Sequence, residues 1–387
     1  MLGLALVCAA CVRSLPVAPT TVAPEPANHQ PPSWSAEREP QPSAASAPEA
    51  DPSAGSNSTT ALAVGPGRSV EAARRLSPFE AELARADAAL AAGDLDTAER
   101  LYASLRRNAP AQPAARLGLL EVRWARLGLP LVYAEAPAHP ELRQLVAAAD
   151  ALLAEHADYT PALLDKGRWL VVLGEADAAR IPLERAAALD ARNPEVHSAL
   201  GTAYLATGEA ERALTEFQSA VQLGPEDPER LTNLGTALML RGRLTEAIAN
   251  FERSLESRPN DARTQGDLGA AQLANGRADL ALPHLQRATQ LAPHRATFLT
   301  NLGYAYECQG ELDKAIETQR EAVALDPKLG SAWINLGNAL AERHKYEQAE
   351  AALRQAAALD PSDPRPAASL KDLAELRARE SAVPTAP

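Results

Sequence analysis

The side chains that could do chemistry fall into two distributions. The first is scattered. Seven histidines stand at 29, 139, 156, 197, 284, 294 and 344. None has a partner at the i, i+4 helical step that would make a metal pair. No Gly-rich phosphate loop, G-x-S-x-G elbow or H-E-x-x-H pair occurs. Three cysteines, Cys8, Cys11 and Cys308, are too few for a disulfide framework or a four-ligand zinc site. These residues point to no catalytic centre, no metal and no cofactor. The second distribution is periodic. Asp165, Ala199, Asn233, Asp267, Asn301 and Asn335 follow one another at steps of 34 residues. Three positions later come Arg168, Thr202, Thr236, Tyr304 and Asn338, on the same step with one member skipped. A carboxamide both donates and accepts hydrogen bonds, so a column of them can hold a main chain without reading side chains.

The same step runs through residues that build rather than react. Glycine recurs at 167, 201, 235, 269, 303 and 337, and alanine at 179, 213, 247, 281, 315 and 349. A second glycine series runs 174, 208, 242, 276, 310, and proline recurs at 225, 259, 293, 327 and 361. A 34-residue period marks a helix–turn–helix unit, and in residue type the chain resembles the tetratricopeptide repeat (TPR) family. That family has a small residue at position 8, here Gly201 or Gly235, and alanine at 20, here Ala213 or Ala247. Its aromatic at 24 is Phe217 or Phe251, and its proline at 32 is Pro225 or Pro259. The reading is that Gly at 8 faces Ala at 20 where helices A and B cross. The second glycine series ends helix A in the left-handed conformation. Asn193-Pro194-Glu195 and Asp227-Pro228-Glu229 read as N-cap, first-turn proline and first-turn acid.

The resemblance implies an all-α fold: a right-handed superhelical solenoid of about eight repeats at 79–112, 113–159, 160–193, 194–227, 228–261, 262–295, 296–329 and 330–363. The second is 47 residues long, 13 above the period, and the excess falls near 129–141, with Gly128 ending one helix and Leu142 beginning the next. Residues 364–387 are expected to form an amphipathic capping helix and a tail. Pro182 and Pro283 predict that helix B starts late or bends in two repeats. Only 24 residues follow the last repeat, so no transferase or kinase domain is expected behind the array.

In this family helix A lines a concave groove that takes an extended peptide or a partner helix. Asn233, Asn301 and Asn335, with Asp267, resemble the asparagine ladder of O-linked N-acetylglucosamine transferases. The alternative is a consensus Asn on an exposed helix face. Arg168, Thr202, Thr236, Tyr304 and Asn338 are the other partner-binding candidates. Position 5 holds Leu83, Leu117, Leu164, Ser198, Thr232, Gly266, Thr300 and Ile334. Without a lysine there, the family's clamp for acidic C-terminal tails is not expected. Tyr306 and Trp333 read as core, Tyr304 as exposed, and Cys308 as a small semi-buried side chain.

Ahead of the repeats the character changes. The apolar run from Leu2 to Ala10 is too short to span a bilayer, which needs about 20 residues. It ends in Cys8-Ala9-Ala10-Cys11, which resembles the lipobox of bacterial lipoproteins, with Cys11 as the lipidated first mature residue. Cys8 stands where an aliphatic residue is usual, and no basic residue precedes the run, so an apolar N-terminus without export remains the other reading. Residues 12–78 are rich in Pro, Ser and Ala, lack any apolar period, and read as a disordered tether. The net charge of −12 disfavours a nucleic-acid partner. Taken together, a non-enzymatic, envelope-anchored scaffold that faces the periplasm and holds a pilus- or secretion-type component is expected. A cytosolic adaptor and an accessory subunit of a glycosyltransferase acting in trans are the alternatives.

Overall fold

A computed structural model describes residues 76–129 and 136–382. The lipobox with Cys11, nearly all of the tether, and the last five residues lie outside the described residues. Seventeen helices and no strand are present among the described residues. They form a solenoid of antiparallel pairs: α1 (Pro78–Ala91) with α2 (Leu95–Asn108), α3 (Pro113–Leu127) with α4 (Pro140–Glu155), and α5 (Thr160–Val172) with α6 (Ala176–Leu189). Then come α7 (Pro194–Ala206) and α8 (Ala210–Leu223), α9 (Pro228–Leu240) and α10 (Leu244–Ser257), and α11 (Ala262–Ala274) and α12 (Ala278–Leu291). The last pairs are α13 (Ala296–Cys308) with α14 (Leu312–Leu325) and α15 (Gly330–Glu342) with α16 (Tyr346–Leu359), closed by α17 (Pro364–Ala382).

Local chemistry starts and stops each helix. Asn193 and Asp227 accept hydrogen bonds from the first-turn amides of Glu195 and Arg230, capping α7 and α9. Seven inter-helix glycines, from Gly93 to Gly310, have φ between 62° and 82°. In the last repeat the same place is taken by His344 at φ 57°, a conformation that is strained for a side chain with Cβ.

The position-8 glycines make room for something other than the alanine. A Cβ on Gly201 or Gly235 would lie 2.8 or 2.6 Å from the ring of Phe217 or Phe251, the position-24 side chains of the same repeats. At Gly269 and Gly337 the contact is with Leu285 and Leu353, and the alanine at 20 contributes only its carbonyl, at 3.3 Å. The small residue is thus a socket for the side chain on helix B. The alanines are themselves fully buried.

Two sequence expectations change. Helices α6 and α12 begin in the same register as their counterparts and run through Pro182 and Pro283. Each proline sits in the second turn, where one missing N–H is outvoted by packing of Leu183 and Leu285 into the glycine sockets. After the long second connection α4 begins at Pro140, not Leu142, because the His139 side chain accepts from the Leu142 amide as N-cap. The far end of that connection is docked: the Ala136 amide donates to the Val172 carbonyl of α5 at 3.1 Å, and Leu129 and Ala136 pack on the main apolar cluster. Successive first helices from α5 to α15 pack side by side, whereas α3 and α5 barely approach. Trp124 and Trp169 fill that gap, with ring centroids 6.4 Å apart.

At the C-terminus α17 packs on α16 and α15 through Leu373 and Leu370, and Arg377 reaches Glu347 and Glu350. Such a polar-backed helix covers the last apolar face of a stack. No helix among the described residues is long and apolar enough to cross a membrane.

Candidate binding groove

The first helices of repeats three to seven, α5 to α13, enclose a groove of about 290 Å³. Val171, Leu205, Ala206, Leu240, Phe217 and Phe298 supply its apolar lining. Of the candidates from the sequence, Arg168, Thr202, Asn233, Thr236, Asp267 and Asn301 line it together. Tyr304, Asn335 and Asn338 are not among its lining residues; Asn335 is buried in α15, and Tyr304 is partly buried against the neighbouring cluster.

Three residues that sequence spacing did not single out, Arg230, Arg263 and Arg295, dominate the polar wall. Their steps are 33 and 32 residues rather than 34. The row therefore drifts against the repeat and escapes a search at fixed period. Glu195 bridges Arg168 and Arg230, one carboxylate oxygen to each guanidinium. Arg263 donates to the Asn233 amide oxygen at 3.0 Å and lies 3.7 Å from the Asp267 carboxylate. Thr236 donates weakly to Asp267 at 3.5 Å. Burial lifts the Asp267 carboxyl to about 6, with Arg263 pulling the other way. The Arg295 guanidinium lies 5.4 Å above the Phe298 ring. Arg230 Nε and the Ser198 hydroxyl are buried without a hydrogen-bond partner.

At the α5 end the groove meets a carboxyl cluster. Arg168 is 3.9 Å from Asp165, and burial raises both Asp165 and its neighbour Glu121, the latter to about 8. Tyr102 donates to Asp87 at 2.7 Å beside them, and burial pushes the Tyr159 phenol up to about 12. Position 5 is inward-facing: Leu164, Thr232, Thr300 and Ile334 are buried.

Elsewhere the remaining side-chain expectations divide. Tyr306 is partly buried with Lys314 over its ring. Trp333 is half-buried, packs on the C-terminal cluster and donates its Nε1 to the Pro327 carbonyl at 2.9 Å. Cys308 is exposed rather than semi-buried, because it ends α13 outside the packed stripe. No group of three or more His, Cys, Asp or Glu that could hold a metal ion occurs among the described residues.

Sequence profiles described as Tetratricopeptide repeat match residues 83–129, 198–262 and 267–329, with further profiles of that description at 238–294 and 330–363. No curated protein matches the chain. Among solved structures, that of the APC/C hetero-tetramer Cut9–Hcn1 superposes with a TM-score of 0.58 at 17% identity, covering 76% of this chain. This chain spans 55% of that one. A tetratricopeptide repeat protein from Parabacteroides merdae gives a TM-score of 0.46 at 16% identity, covering 76% of this chain and 98% of its own. Pseudomonas aeruginosa pilF gives 0.48 at 17% identity, covering 57% and 97%.

Proposed function

The chain belongs to the tetratricopeptide repeat family, and from that premise we propose that it is a non-enzymatic scaffold whose groove between α5 and α13 holds an extended segment of a protein partner. One observation carries this reading: apolar side chains, two outward amides and an arginine row converge on one continuous groove across five repeats. Asn233 and Asn301 hold the main chain through paired donor and acceptor bonds, and the apolar lining takes side chains. A photo-crosslinker placed at Asn233 or Asn301, and at the exposed Ile181 of α6 as control, tests the assignment. A partner trapped through the two groove positions and not through Ile181 is the expected result. Equal trapping at all three sites would defeat the groove reading.

The place of action is the cell envelope, with Cys11 as lipid anchor, the Pro-rich segment as spacer and assembly of a pilus- or secretion-type complex as the role. The Cys8-Ala9-Ala10-Cys11 sequence supports the anchor, and the proline-rich segment supports the spacer. Metabolic labelling with a palmitate analogue should mark the wild-type chain and not the Cys11→Ala variant. Labelling that survives the substitution would remove the anchor.

A further inference from the structure

We propose that the segment held in the groove is acidic: a polyproline-II-like stretch with carboxylates about three residues apart, held by Arg230, Arg263 and Arg295. This deepens the groove reading and rests on it.

The charge distribution leads there. The whole chain carries −12, yet four arginines, counting Arg168, gather on one concave lining. Their acids inside the groove do not saturate them. A single carboxylate, Glu195, serves both Arg168 and Arg230, and Arg230 Nε still points into buried space without an acceptor. Asp227 is committed to the α9 N-terminus, where it accepts from the Arg230 amide. Arg263 spends one N–H on the Asn233 amide oxygen and pairs with Asp267 at 3.7 Å, beyond hydrogen-bond distance, so its other donors are open to a carboxylate. Arg295 makes no ion pair or side-chain hydrogen bond among the described residues; it lies over the Phe298 ring and acts on the Asp267 carboxyl only through its charge. Glu229 is an exposed acid at the groove's edge.

Guanidinium N–H groups not yet engaged are donor sites, and a carboxylate accepts from them two bonds at a time. The spacing follows from the fold. Arg230 and Arg263 are carried by α9 and α11, and Arg295 caps α13, all successive first helices. Helices packed side by side lie roughly 10 Å apart. A polyproline-II chain advances about 3.1 Å per residue and turns once in three residues, so every third side chain returns to the face that the neighbouring arginines line. Leu205, Leu240 and Phe298 take the apolar residues between.

The test uses the full chain and three fluorescein-labelled peptides of about twelve residues, long enough to cross the groove extended. They carry Glu, Gln or Lys at every third position in one Ala/Leu/Ser background. The Glu peptide is expected to bind at least about tenfold tighter than the Gln peptide, and to weaken as salt rises. Arg263→Gln/Arg295→Gln should lose about tenfold for the Glu peptide and leave the Gln peptide unchanged. Asp267→Asn, which removes a competing acid, should tighten the Glu peptide a few-fold. Arg263→Glu/Arg295→Glu should turn the preference toward the Lys peptide. Circular dichroism and melting establish that each variant is folded, and Arg295→Gln alone, which breaks no ion pair or hydrogen bond, gives the same comparison. Equal binding of Glu and Gln peptides, both weakened by Asn233→Ala/Asn301→Ala, would overturn the acidic preference and keep the groove. Binding of neither peptide would overturn both.

Discussion

Between α7 and α13 the concave wall sets its carboxylates beside arginines, whereas each flank buries carboxyls that burial raises above their ordinary range. Asp87, Glu121 and Arg168 occupy the ninth position of three successive repeats, so the same place in the helix turns from acid to base at the groove's edge. On the N-terminal side Glu121 and Asp165 are raised together by burial, and one Asp165 oxygen has no hydrogen-bond partner. On the C-terminal side Glu307 occupies the register of Val171 and Leu205, two groove-lining apolar residues. Its Oε2 is buried without a partner, and burial, with Glu342 adding repulsion, raises it to about 8. The middle meets its acids with arginines, whereas Glu307 on the C-terminal flank has only burial and a second acid acting on it. The middle can exchange its counter-ions for a ligand's. The flanks instead couple the fold to pH.

The largest expected effect tests the C-terminal flank. The folded pKa of Glu307 lies above its ordinary value of 4.5. The folded chain therefore keeps a proton that the unfolded chain gives up. Its stability contribution is complete below the unfolded pKa and is lost as pH rises toward 8. The limiting slope is about 1.4 kcal/mol per pH unit. Glu307→Leu, which restores the apolar stripe, should remove that slope and stabilise α13–α15 by roughly 2–4 kcal/mol at about pH 8, read by urea unfolding. A variant as pH-sensitive as the wild type would assign the titration elsewhere. Next in size is Asp165→Asn. An amide can donate to Glu121 where a second carboxyl raises it by repulsion, so exchange protection of α3 and α5 amides above neutral pH should rise by about 1–2 kcal/mol. Unchanged protection there would mean the acid pair does not strain the α3–α5 junction.

How far the sequence reveals this contrast depends on whether a constraint repeats. The left-handed glycines, the socket glycines and the caps recur in register because every repeat needs the same backbone geometry, and the helix order follows from them. The partner of the socket could not be read that way. Ala213 and Phe217 share one helix at i and i+4, and only the crossing geometry shows that Phe217 fills Gly201. The groove was half legible. Asn233, Thr236, Asp267 and Asn301 keep the period, but Arg230, Arg263 and Arg295 slip by one or two residues against it. Glu195 looked like a first-turn acid favouring a helix dipole, and its service to two arginines from neighbouring repeats depends on tertiary packing. Nothing in the sequence sets Glu307 apart, because burial at position 12 is set by the adjoining repeat.

A smaller effect belongs to the C-terminal flank's backbone. His344 holds at φ 57° the place that glycine holds seven times, and its Nδ1 contacts the Tyr346 hydroxyl at 2.6 Å. His344→Gly relieves a left-handed conformation that costs about 1–2 kcal/mol, while the unfolded chain gains freedom and the tyrosine contact is lost. The net should be about 1 kcal/mol of stabilisation, measured as a higher urea midpoint at unchanged slope. A lower midpoint would show that the Tyr346 contact outweighs the backbone strain.

The smallest effect belongs to the middle and separates the two regions by their response to salt. Glu195 is 46% exposed in its side chain, so its bridges to Arg168 and Arg230 are screened by water. Glu195→Gln should cost only about 0.5 kcal/mol at low salt and nothing measurable near 1 M, where the screening length falls to about 3 Å. The same substitution leaves two guanidinium groups without their shared counter-charge, so affinity for an acidic peptide should rise even as stability falls. Those opposite signs in one variant are what a groove built for exchangeable ion pairs requires. A bridge that serves only the fold would lower stability and leave the peptide affinity where it was.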